Sequence, residues 1–128
     1  MQELIRGVLR RHPEIKLCII FGSVAAAKDS PHSDVDIAVA AEQPLSGDRY
    51  LELIEEFSAA TGREIDLVDL ACAAGLILNQ ALSTGTVLQN QDKSLYAHLI
   101  SRMLFDQADM MPYHDRILQE RRNRFIHE

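Results

Sequence analysis

Leu4, Ile5, Val8 and Leu9 recur at helical spacing, predicting an amphipathic helix over residues 2–11 that Pro13 stops. The wholly apolar run Leu17-Cys18-Ile19-Ile20-Phe21 reads as a buried strand, broken by Gly22-Ser23. Val24 to Lys28 fits a short helix, and Asp29-Ser30-Pro31-His32-Ser33 is dense in turn formers. Asp34 to Ala40 starts with polar–apolar alternation and becomes wholly apolar, the pattern of a second strand whose beginning faces a cleft. Tyr50, Leu51, Ile54 and Phe57 predict a helix from Asp48 to Thr61, with Gly62 placed where helices commonly end. Period-two alternation from Arg63 to Leu70 gives a third strand, a helix is expected near Ala73–Ser83, and Thr86-Val87-Leu88 reads as a short edge strand. Leu95, Leu99, Met103 and Leu104 share a helical face in a tail that Pro112 interrupts and Ile117, Leu118 and Phe125 resume.

This order describes an α/β (α+β) chain: strands with helices packed on them, followed by a C-terminal helical tail. At 128 residues and 47% hydrophobic the sequence suits one domain over 1–128, with a core at about 1–90 and C-terminal helices at about 92–127. Neither internal repeat nor low-complexity tract is visible. The net charge of −6 lacks the surplus of Lys and Arg that phosphate-backbone binding demands, so stable nucleic-acid binding is not expected. MQELIRGVLRRHPEIK carries no apolar signal core and no run has the length of a membrane span, which points to a cytoplasmic protein with no membrane partner. Cys18 and Cys72 lie far apart without CxxC spacing and are expected to be small core residues.

Candidate chemistry concentrates in Gly22-Ser23, followed after ten residues by Asp34-x-Asp36, and then by an acidic residue on the third strand. Gly22 has no Cβ, so the backbone can turn sharply and approach a phosphate. Ser23 is suited to cap the following helix, whose N–H groups would face a triphosphate. Asp34 and Asp36, two apart on a strand, project from one face with Cα atoms about 6.5–7 Å apart. Carboxylates this close repel each other unless a cation neutralises them, and hard oxygen donors suit Mg2+. On the third strand Glu64, Asp66 and Val68 share one face; Asp66 is preferred because it is central and flanked by apolar residues. Its carboxylate could bind a second ion or accept the proton of an attacking hydroxyl, giving in-line displacement at the α-phosphorus.

The string FGSVAAAKDSPHSDVDIAVA, with REIDLVDL one helix later, resembles the polymerase-β-like minimal nucleotidyltransferases. It is more closely similar to the MntA-type antitoxins paired with HepT-type HEPN toxins. The resemblance implies a nucleotidyltransferase-like mixed β-sheet and a metal-dependent transferase using ATP and two Mg2+ ions. By that likeness Gly22 and Ser23 match the nucleotide-binding turn, Asp34 and Asp36 the metal-binding pair, and Asp66 the third carboxylate. It further implies transfer of AMP to a tyrosine of the toxin, silencing a ribonuclease. Many relatives carry an Arg shortly after the Gly-Ser; this chain has Ala25-Ala26-Ala27 and then Lys28, which is the candidate to supply that positive charge to the triphosphate.

Two other functions stay open: a transferase acting on a small-molecule hydroxyl, and a non-catalytic antitoxin that covers its toxin. Arg122 and His127 match the spacing of HEPN ribonucleases, but the remaining helical hairpin is too small for such a domain, and a Glu120–Arg124 helix pair is the simpler account. Met103, Leu104, Phe105, Met110 and Met111 exceed what one helix face needs; core packing accounts for most of them, and adaptable Met-rich surface is also typical of partner binding. The five histidines are scattered, and ordinary surface or core roles are expected of them.

Overall fold

The structure, a computed structural model, describes residues 1–22 and 34–106. The expected helix at Val24–Lys28, the turn at 29–33, Ser23, Lys28 and everything from residue 107, including Met110, Met111, Glu120, Arg122 and His127, lie outside the described residues.

Four strands form one mixed sheet: β1 (Leu17–Phe21), β2 (Val35–Ala40), β3 (Ile65–Asp69) and β4 (Thr86–Asn90), in the order β3-β2-β1-β4. β1 runs antiparallel to both β2 and β4, whereas β2 and β3 are parallel. A parallel pair needs a crossover, and α2 (Gly47–Thr61) supplies it. The remaining described helices are α1 (Gln2–Leu9), α3 (Gly75–Thr84) and α4 (93–106).

β1 is buried at all five positions because it is an inner strand with helices over both faces. Its alternate residues feed two apolar layers. Cys18 and Ile20 join Val35, Ile37 and Val39 of β2 against α1 (Ile5, Val8, Leu9) and α2 (Leu53, Phe57). Leu17, Ile19 and Phe21 join Ala38 and Ala40 against α3 (Leu78, Ala81, Leu82) and α4 (Leu99, Met103).

Several boundaries differ from the sequence-based expectation for local reasons. α1 ends at Leu9, before Pro13, because Arg11 and His12 close shorter turns onto the Val8 and Leu9 carbonyls (both 3.0 Å). α2 starts at Gly47 with Ser46 accepting from the Arg49 amide (3.2 Å), and Gly62 ends it at φ 69°. α3 begins at Gly75 rather than Ala73: Asp69 binds the amide of Ala71 through its side chain and those of Cys72 and Ala73 through its carbonyl, holding that segment as a turn. β4 extends to Asn90 and pairs with β1 through an irregularity at Cys18/Ile19. Cys18 is buried as expected, but Cys72 is exposed in the turn after β3 and is not a core residue. No described helix is long and apolar enough to cross a membrane.

Candidate active site

The C-terminal end of β1 and the N-terminal ends of β2 and β3 meet at one edge of the molecule, because β1 is antiparallel to a parallel β2–β3 pair. Register then decides which side chains converge. Asp36 lies opposite Phe21 on β1 and opposite Asp66 on β3. Since Val35, Ile37 and Leu67 point into the layer under α1 and α2, strand alternation sends Asp36 and Asp66 to the other face. Asp34, expected as the first residue of the strand, instead immediately precedes β2, near enough for its charge to act on Asp36, so the three expected carboxylates gather at one end of the sheet. Glu64 contributes through its backbone instead, its carbonyl accepting from the Val35 amide (2.9 Å) and pinning the start of β2.

The carboxylates differ in environment. Asp34 and Asp66 are exposed and Asp36 is half-buried. Burial pushes the Asp36 carboxyl above the usual carboxylate range, and the charge of Asp66, a hydrogen bond with its side chain, and the charge of Asp34 push it the same way. A carboxyl raised by burial and by like-charged neighbours is one a bound cation would relieve, so the donor set fits divalent ions held by hard oxygens.

Gly22 closes the site from the β1 side. Its φ is +72°, a region that disfavours side chains, and a Cβ there would lie 2.0 Å from Asp36 Oδ2 and 3.0 Å from its Cγ. The glycine was expected to allow a sharp turn and close approach to phosphate. Gly22 has the left-handed φ, and the group nearest its missing Cβ is the Asp36 carboxylate itself. Ser23 and Lys28, the other expected nucleotide contacts, lie outside the described residues.

Sequence reading passed over two further features. Asp69 accepts from the Leu45 amide (2.8 Å) as well as from Ala71 (3.0 Å), tying the loop before α2 to the turn after β3; its position on the face opposite Asp66 was the available signal. A cleft of about 440 Å3 opens at the opposite end of the sheet, where Lys16, Ala41 and Ser46 line it beside Glu14 and Arg49, away from the three aspartates.

Residues 3–94 match the family described as Polymerase beta, Nucleotidyltransferase. Over 87 residues the chain is 33% identical to the protein adenylyltransferase MntA of Shewanella oneidensis, covering 66% of this chain and 63% of that relative. The chain thus spans a little under two thirds of the length of that curated relative. Among solved structures it is similar to a toxin–antitoxin crystal structure with AMP-PNP, at TM-score 0.77 and 27% identity over 91% of this chain and 98% of the other. It is also similar to a chain of the tri-AMPylated Shewanella oneidensis HEPN toxin in complex with MNT antitoxin, at TM-score 0.69 and 30% identity over 92% and 99%.

Proposed function

The chain belongs to the polymerase β nucleotidyltransferase family, and from that premise we propose that it is an antitoxin that transfers AMP from ATP to a tyrosine of a HEPN-type ribonuclease toxin. The observation that carries this reading is the register of Asp36 with Asp66, with the charge of Asp34 acting on Asp36 and Gly22 closing against Asp36. The similarity to an adenylyltransferase and to a complex containing an AMPylated toxin supports the choice of nucleotide and acceptor.

In this reading Asp34 and Asp36 hold Mg2+, and Asp66 shares a second ion or takes the proton of the attacking tyrosine hydroxyl. Bound Mg2+ supplies charge neutralisation and Lewis-acid polarisation of the triphosphate. The chain's own groups do the positioning. Gly22, having no Cβ, lets the backbone come close to Asp36 and to a bound triphosphate, and by the family likeness Ser23 would belong to the nucleotide-binding turn and Lys28 would provide the positive charge that relatives take from an arginine after the Gly-Ser. The Asp66 carboxylate is carried by a strand rather than a loop, which would hold it in a fixed position for either role. The chain acts as a single cytoplasmic domain, and its acidic balance suits a protein acceptor better than a nucleic acid.

The experiment is incubation of the protein with ATP labelled at the α-phosphate, Mg2+ and the product of a neighbouring small helical reading frame bearing an R-x4-H motif. Label is expected on a tyrosine of that partner. Label on an added small-molecule hydroxyl instead would replace the acceptor, and neutralisation without any label would leave a covering antitoxin in place of an enzyme.

A further inference from the structure

A second group of ligand-bearing side chains lies across the sheet from the aspartates, where α1 and α2 pack. His12 follows α1 and is 3% exposed. Its Nε2 faces Glu56 of α2, and its Nδ1 lies 3.3 Å from Glu14 Oε1. Glu52, one helical turn before Glu56, completes a set in which one ligand atom from each of His12, Glu52 and Glu56 falls within 4.8 Å of the others. We propose that His12, Glu52 and Glu56 form a binding site for a divalent transition-metal ion, with Zn2+ the best chemical match, distinct from the nucleotidyl-transfer site.

One imidazole with two carboxylates is a donor set for Zn2+ or a related metal rather than for Mg2+, and three protein ligands leave a fourth position for water. The ring must offer Nε2 to the metal and keep its proton on Nδ1. Glu14 stands where it can accept that proton's hydrogen bond, the carboxylate–histidine–metal arrangement that fixes ring orientation.

The groups now facing these carboxylates are displaceable. Arg11 pairs with Glu56 (3.1 Å), and Arg49 reaches Glu52 (3.5 Å), Glu14 (3.3 Å) and His12 Nδ1 (3.3 Å). Arg11 is largely exposed and Arg49 partly so, and ion pairs open to solvent hold weakly against a divalent ion. The cleft lined by Glu14 and Arg49 gives an access route to the site. Rigidity comes from the core beneath, where Ile5, Val8 and Leu9 of α1 meet Leu53 and Phe57 of α2. A bound ion would clamp the turn after α1 to α2.

The test uses the full chain carrying D36N and D66N, so that the aspartate site cannot answer for the second one. Co2+, which reports ligand geometry through its visible absorption, is titrated in and displaced with Zn2+. The expected result is one high-affinity ion per chain with a low-symmetry Co2+ spectrum and a Zn2+-dependent rise in Tm. Glu14→Gln should weaken binding by about ten- to a hundredfold. Glu52→Gln, on a side chain 54% exposed, should weaken it at least as much and abolish the rise in Tm, with circular dichroism of the apo-protein unchanged. Failure of the D36N/D66N chain to bind either metal, or equal affinity in the parent, Glu14→Gln and Glu52→Gln chains, overturns the proposal.

Discussion

Asp36 carries the sharpest residue-scale consequence. Its carboxyl is raised by burial, then by Asp66 and Asp34, so the folded state favours the protonated form more than the unfolded chain does. For a carboxylate the sign is therefore a penalty at neutral pH that is relieved as pH falls through the folded-state value. Asp36→Asn should raise the Tm of the metal-free protein at pH 7 and give no gain in acid, while abolishing the further rise that Mn2+ or Mg2+ gives the parent; differential scanning fluorimetry across pH reads both. Gly22→Ala meets the opposite fate. The left-handed φ and a Cβ 2.0 Å from Asp36 Oδ2 together should destabilise by about 1–2 kcal/mol and lower nucleotidyl transfer more than stability alone explains, measured by urea melts beside label transfer. Cys18, whose thiol burial pushes up to about 12, should resist thiol reagents in the native state while Cys72 reacts, as mass spectrometry of the labelled protein would show.

At the scale of elements, the two apolar layers make separable predictions. Phe57 is fully buried between α2 and the sheet, and Phe57→Ala should destabilise by about 3–5 kcal/mol in denaturant titration. Ser46→Ala removes the cap from the same helix and should cost about 1 kcal/mol with transfer activity intact in the folded fraction. The strands were legible because their signals are local: a wholly apolar run for β1, alternation for β3, and Asp-x-Asp leading into an apolar run for β2. The start of α3 was less so, since Ala71 to Ala74 look helical in composition and are held as a turn by the Asp69 carboxylate and carbonyl. Strand order was not legible either. It depends on which strands pair, and pairing follows contacts across the chain rather than any local pattern.

Across the whole molecule, sequence reading and structure agree where spacing alone places the chemistry and part where distant residues meet. Asp34 and Asp36 fall close together at the start of β2 because only one residue separates them, and Asp66 could be preferred over Glu64 from its central position. That Asp36 and Asp66 stand opposite each other needed the parallel β2–β3 register. The grouping of His12 with Glu52 and Glu56 was invisible for the same reason, because 44 residues separate His12 from Glu56 and only the α1–α2 contact joins them. The net charge of −6 suits the proposed protein acceptor better than a nucleic acid. The most direct measurement is transfer of α-phosphate label from ATP to the partner toxin by Asp36→Asn, alongside its ability to form the toxin complex. The account predicts a complex that forms normally and a label signal reduced by at least about a hundredfold, in line with loss of a group that stabilises the transition state; full labelling or full neutralisation by Asp36→Asn would contradict it.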